Sequence, residues 1–247
     1  MKTALITGAT SGIGMATAKL FTAKGYKLIL CGRRTERLNE LKNELNTEVH
    51  TLTFDVRNRE DVFKSLESIP NEFQDIDILL NNAGNAHGLS SIQNGNLDDW
   101  DAMMDGNVKG LLYVTKAILP NMIARNSGFI VNIGSVAAKE VYPNGNVYCA
   151  SKHAVDALSK SMRVDLAGHN IRVAAIHPGA VETEFSEVRF KGDTEKADNV
   201  YKGFDALQAQ DIAEIIEFIT SRPSHVNIED LVVYPTAQAN TTTLTRK

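Results

Sequence analysis

Two cysteines in 247 residues, Cys31 and Cys149, stand too far apart for a ligand pattern and are too few for a disulfide framework. That usage points to a reducing intracellular compartment. No apolar run reaches the roughly 20 residues that cross a bilayer, and the opening "MKTALITGATSGIG" meets glycines after a few apolar or small residues, without a signal-peptide core. A soluble cytoplasmic protein with no membrane association is expected. Basic residues are not in excess either. Lys and Arg number 26 against 30 Asp and Glu, a formal net charge of −4, so there is no electrostatic footprint for nucleic acid. His87, His153 and His177 fall at no metal-ligand spacing and read as ordinary polar or partly buried side chains, so no metal is expected. "DDWD" at 98–101 reads as acidic residues in a first helical turn, and carboxylate-pair catalysis has no support. Linkers, repeats and low-complexity tracts are missing, which leaves one domain over residues 1–247. The terminal "ANTTTLTRK" is polar enough to be a loose tail.

Apolar residues make up 43% of the chain, enough for a sizeable core. Short runs rich in Val, Ile and Leu alternate with stretches of helical period. Strands are expected at 3–7, 27–31, 49–54, 76–81, 129–134, 171–176 and 231–235. Helices are expected near 12–24, 35–45, 59–69, 97–125 (two, or one broken), 147–167 and 209–221. Such alternation implies an α/β fold, a doubly wound parallel sheet of about seven strands that binds ligands at the carboxyl ends of its strands. Residues 179–208 break the rhythm, being polar and long for a connection, and read as a lid or binding loop.

Directly after the first expected strand comes "TGATSGIG". Gly8, Gly12 and Gly14 at a strand-to-helix turn permit positive φ and close backbone approach, and the following helix N-terminus offers free N–H groups to a pyrophosphate. The second strand ends in "CGRR", where an NAD site usually keeps a carboxylate for the ribose 2′-OH. Arg33 and Arg34 instead suit a 2′-phosphate through forked, charge-assisted hydrogen bonds, which favours NADP. Cations are poorly placed at a helix start, so a bound anion explains them better than a solvated surface does. "FDVRN" places Asp55 where an adenine amino group could be met, and "NNAG" places Asn82, Ala83 and Gly84 after the fourth strand.

In "NVYCASK" a tyrosine and a lysine four apart share one helix face, Tyr148 above Lys152. With "TGATSGIG", "NNAG", Asn107 in "DGNVKG", Ser135 in "NIGSVA" and "HPGAVETEF", the chain resembles the short-chain dehydrogenase/reductase family along nearly its whole length. The resemblance implies a Rossmann-like single domain, a catalytic tetrad of Asn107, Ser135, Tyr148 and Lys152, and a homotetramer formed through the helices around 97–125 and 147–167. It also implies cofactor contacts from Gly8, Thr10, Ser11, Gly12, Ile13, Gly14, Asp55, Val56, Asn82, Ala83, Gly84, Tyr148, Lys152, Pro178, Gly179, Val181 and Thr183, besides Arg33 and Arg34. In such a tetrad Tyr148 takes the proton of a hydroxyl group. Free tyrosine, with a pKa near 10, is a poor base at neutral pH, so Lys152 and an oxidised nicotinamide are expected to lower it. Ser135 would donate to the substrate oxygen. Cys149, on another side of the helix, is expected only to pack.

"TEFSEVRFKGD", "GRRTERL", "FDVRNR" and "HVNI" resemble a narrower subgroup, the NADP-dependent 3-hydroxy acid dehydrogenases that act on serine and allo-threonine. A substrate of that kind carries a carboxylate. Arg189 is the candidate clamp beside Ser135 and Tyr148, since a guanidinium grips a carboxylate with two parallel bonds. Two other readings stay open: a reductase of 3-oxoacyl or other bulky carbonyls, which the charged loop disfavours, and a catalytically silent NADP-binding regulator, which would generally lose the tyrosine or lysine.

Overall fold

Strands that are apolar on both faces are satisfied only between two helical layers. In the computed structural model, which describes residues 1–247, nine strands form: β1 (Thr3–Thr7), β2 (Lys27–Gly32), β3 (Val49–Thr53), β4 (Ile76–Asn81), β5 (Gly128–Ile133), β6 (Ile171–Pro178), β7 (Val181–Glu182), β8 (Leu207–Gln208) and β9 (Asp230–Val233). Seven make one parallel sheet in the order β3-β2-β1-β4-β5-β6-β9, and β7 pairs with β8 apart from it. The chain runs outward from β1 to β3 and then returns to place β4 on the other side of β1, so the switch point lies between β1 and β4.

The helices are α1 (Gly12–Ala23), α2 (Thr35–Glu44), α3 (Arg59–Glu67), α4 (Leu97–Met104), α5 (Gly110–Arg125), α6 (Asn146–Asp165), α7 (Phe185–Arg189), α8 (Thr194–Tyr201) and α9 (Ala209–Thr220). Period-two alternation sends Ala4 and Ile6 of β1 toward α1, α2 and α9, whose Phe21, Leu38 and Ile216 are fully or almost fully buried. Leu5 points the other way, into a second core with Val62 of α3 and Val114 and Met122 of α5. Asn58 caps α3 by accepting from the Glu60 and Asp61 N–H groups, and Asn96 caps α4 by accepting from Asp99 N–H. The expected break within 97–125 is a wide π-helical turn over Asp105–Lys109, a feature that often re-aims a side chain at a functional site. No helix is long and apolar enough to cross a membrane.

Residues 179–208 hold β7, α7, α8 and β8. One expectation needs correction: the C-terminal tail is not loose. The Arg246 guanidinium donates to the carbonyls of Asn199, Val200 and Lys202 at the end of α8, and Gln238 Oε1 accepts from Ala180 N–H at 2.9 Å. Polar tail groups have found carbonyls that a helix end leaves unpaired.

Candidate active site

The carboxyl ends of the strands open into a cleft of about 790 Å³. Its floor is the turn between β1 and α1. Gly8 has φ +65° and Gly12 φ +51°, both in the left-handed region, and a Cβ on Gly14 would stand 2.4 Å from the Gly8 carbonyl oxygen. The helix therefore starts flush against the strand end, with bare N–H groups toward the cleft and no acidic residue in its first turn. A pyrophosphate fits this cradle. All the sequence-predicted cofactor and substrate residues line the cleft except Gly14, which lies beneath the cradle, and Asn107, which lies behind Gly84. Asn82 braces the switch point by donating to the carbonyls of Thr7 and Gly8 at 3.0 and 3.2 Å.

One end of the cleft is a cluster of guanidinium groups. Arg34 donates to Thr10 Oγ1 and Ser11 Oγ at 2.9 and 3.0 Å, and to Glu184 at 2.9 Å. Arg37 reaches the other oxygen of Glu184 at 2.6 Å. Burial pushes the Glu184 carboxyl up, but its hydrogen bonds to Arg34 and Arg37 prevail and hold it below the ordinary value. Asp55, expected at the adenine, is gripped by Arg57 through two guanidinium nitrogens and the backbone N–H, with Arg33 at 3.8 Å. Its carboxyl is likewise held low against the opposing effect of burial. Arg37, Arg57 and Glu184 were not anticipated. Glu184 meets Arg34 across 150 positions of chain, a separation that no local pattern encodes.

The other end gathers Ser135, Tyr148 and Lys152. Tyr148 and Lys152 rise from the first turns of α6 and are buried, at 8% and 6% exposure. Lys152 Nζ donates to the Ile133 carbonyl at 2.9 Å and lies 5.9 Å from the centre of the Tyr148 ring. Burial lowers its pKa to about 8. Burial also pushes the Tyr148 phenol above its ordinary value, aided by Tyr142 and opposed by a hydrogen bond to Ser135 and the charge of Arg189. In the protein alone desolvation dominates the phenol, with the Lys152 ammonium aimed at a strand carbonyl; the expected lowering draws also on the charge of an oxidised nicotinamide. Asn107, carried on the π-helical turn, accepts from Asn85 N–H at 2.8 Å and donates to the Asn85 carbonyl and to Ser151 Oγ. Its amide oxygen and Lys152 Nζ both come close to Gly84, where a Cβ would meet them at 2.8 and 3.6 Å.

Arg189, on α7, overhangs this centre. It donates to the Tyr142 hydroxyl at 3.0 Å and to the Gly88 carbonyl at 3.3 Å, and its guanidinium carbon is 5.6 Å from the rings of both Tyr142 and Tyr148. Tyr142 escaped notice because nothing in "KEVYPNG" marks it as facing a site. Cys149 is buried with Tyr148, Met103 and Ala137, as packing. His177 is not the ordinary residue expected of it. The ring is fully buried, with Nδ1 3.2 Å from the Ser135 carbonyl oxygen.

A phosphate cradle and a hydroxyl-phenol-ammonium group in one cleft are the parts of a nucleotide-dependent oxidoreductase. The chain belongs to the short chain dehydrogenase family, whose profile matches residues 2–194. It is 47% identical over 236 residues to the NADP-dependent 3-hydroxy acid dehydrogenase YdfG of Salmonella typhi, covering 95% of each chain. It is 46% identical over 237 residues to the serine 3-dehydrogenase of Rhizobium radiobacter, covering 96% of this chain and 95% of that one. A solved closed form of serine dehydrogenase complexed with NADP+ superposes with a TM-score of 0.95 at 44% identity, over 99% of each chain. The protein is an NADP-dependent oxidoreductase acting on a CH–OH group.

Proposed function

We propose that the chain transfers a hydride between NADP(H) and the 3-hydroxyl or 3-oxo carbon of short 3-hydroxy acids such as serine, allo-threonine or 3-hydroxyisobutyrate. The observation that carries this reading is Arg189, a cation 5.6 Å from the Tyr148 ring at the mouth of the site, where a substrate carboxylate would find it. Its present partners are a hydroxyl and a carbonyl, and no carboxylate neutralises it. The names of the relatives supply the same substrate class.

The nicotinamide, when bound, accepts or returns the hydride. Tyr148 takes the substrate hydroxyl proton, Ser135 donates to the substrate oxygen, and Arg189 forks onto the carboxylate. A buried phenol resists ionisation, so charge must be supplied locally. Arg189 already opposes the upward push on Tyr148, and the positive charge of an oxidised nicotinamide would add to it. Arg33 and Arg34 would take the 2′-phosphate, the glycine turn would take the pyrophosphate, and Lys152, with Asn107 and Gly84 beside it, would contact the nicotinamide ribose. The segment 179–208, through α7 and α8, covers the substrate. Exposed Leu97, Met104, Leu112 and Ile123 on α4 and α5 support a homotetramer, and two buried free thiols suit the cytoplasm.

The test follows NADPH formation with L-serine, L-allo-threonine, 3-hydroxyisobutyrate and a 3-hydroxyacyl thioester. Arg189→Ala is expected to raise the KM for the hydroxy acid by roughly 10- to 100-fold, as loss of a charge-assisted pair should, while the KM for NADP stays put. No turnover of any small hydroxy acid would sink the reading. An unchanged KM for L-serine in the variant would sink the clamp.

A further inference from the structure

We propose that His177 is a positioning residue that fixes the backbone of Ser135, and so the direction of its hydroxyl. The inference rests on the reading of Ser135 as donor to the substrate oxygen. Strand β6 grips the Ser135 turn twice. The Ile176 carbonyl accepts from Gly134 N–H at 2.7 Å, and the next side chain, His177, places Nδ1 3.2 Å from the Ser135 carbonyl oxygen. A carbonyl only accepts, so Nδ1 carries the proton. Ala138 N–H holds the same oxygen at 2.8 Å, which uses both of its lone pairs.

The ring reaches this position because residue 134 has no side chain: a Cβ there would stand 2.3 Å from His177 Nδ1. With the proton on Nδ1, Nε2 is an acceptor without a hydrogen-bond partner, facing Asp156 on α6 and Asp230 on β9, each 3.4 Å away. Lys139 Nζ bridges the same two carboxylates at 2.8 and 2.5 Å, and Lys160 reaches Asp156 at 2.7 Å. Two carboxylates and an imidazole in this arrangement resemble a divalent-metal site, but the Lys139 ammonium already stands between the acids. Lys139 and the two acids serve here as a bracket behind the ring. Asp156 sits four residues beyond Lys152 on α6, so the bracket ties the Ser135 turn to the helix that carries Tyr148 and Lys152.

The experiment is a double-mutant cycle. His177→Leu, His177→Asn and Ser135→Ala are made singly, and His177→Leu is combined with Ser135→Ala. Turnover is measured with NADP and whichever hydroxy acid of the panel above the wild-type chain uses fastest, and NADPH affinity by fluorescence titration. His177→Leu is expected to lower kcat about tenfold, the scale of one lost hydrogen bond, with NADPH affinity unchanged. His177→Asn, which keeps a donor near the Nδ1 position, restores most of it. In the Ser135→Ala background His177→Leu costs nothing further. An equal loss in both backgrounds, or none with Ser135 present, overturns the proposal. Should Ser135→Ala itself keep full turnover, the reading of Ser135 falls and the inference with it. If His177→Leu does not fold, His177→Gln, whose amide reaches toward the Nε2 position and leaves the Ser135 carbonyl without this donor, takes its place in the cycle. It is expected to cost a few-fold in kcat only while Ser135 is present, and an equal cost in both backgrounds overturns the proposal.

Discussion

Replacing Lys152 by methionine should make the protein more stable and leave it inactive. Lys152 is 6% exposed, its ammonium has the Ile133 carbonyl as hydrogen-bond partner, and no carboxylate pairs with it. Burial takes its pKa from 10.5 to about 8. At about 1.4 kcal/mol for each tenfold, this difference corresponds to about 3 kcal/mol by which the fold disfavours the charged form. The sign follows from proton binding. Below about pH 8 both folded and unfolded chains hold the proton, and the fold bears the whole cost. Between about pH 8 and 10.5 the folded chain releases the proton while the unfolded chain keeps it, so stability gains as pH rises through that window. Methionine has nearly the same reach and no charge to desolvate, but it leaves the Ile133 carbonyl unpaired at a cost of about 1 kcal/mol. A net gain of about 2 kcal/mol is expected at neutral pH, disappearing by about pH 10. Urea unfolding of both proteins without cofactor, at about pH 7 and pH 10, measures the gap; all other titrating groups are common to both and cancel. A variant less stable at neutral pH, or a gap that ignores pH, would refute the reasoning. NADPH formation should fall by at least 100-fold if the lysine serves the chemistry.

Arg34→Ala should raise the KM for NADP by roughly 10- to 100-fold and leave the KM for NAD nearly unchanged, because only the former carries a 2′-phosphate for the guanidinium. Initial rates with both cofactors decide it, and an equal rise for the two would show that Arg34 only braces Thr10 and Ser11. Gly14→Ala puts a Cβ 2.4 Å from the Gly8 carbonyl and 2.7 Å from Asn82 Nδ2, so the turn must open. A loss of roughly 1–3 kcal/mol in stability is expected, together with loss of NADPH binding. Thermal unfolding and fluorescence titration check both, and tight cofactor binding in that variant would remove the glycine turn from the phosphate site.

What could be read in the chain was whatever a local rule enforces. β1, β2 and β4 stand in the sequence as nearly continuous apolar runs because both their faces are covered, and Gly8 and Gly12 show because positive φ favours glycine. Tyr148 and Lys152 show because four residues bring side chains together on any helix. The parts that escaped depend on partners remote in sequence. α7 is five residues long and α8 eight, too short for helical period to speak. They are fixed by Arg189 on Tyr142, by the Ser186 hydroxyl against Tyr201, and by Arg246 on the carbonyls ending α8. The bracket of His177 draws on residues 139, 156 and 230, and its only local trace is Gly134. The tail makes the general point. "ANTTTLTRK" reads as loose because it has little apolar surface to bury, yet apolar burial is only one way of being held. A helix that ends beside a chain leaves carbonyls needing donors, and an arginine supplies several at once. Polarity in such a segment foretells exposure, since exposed groups can still be satisfied by water. It does not foretell disorder, because the same groups serve a neighbouring helix end equally well once the fold has brought it within reach.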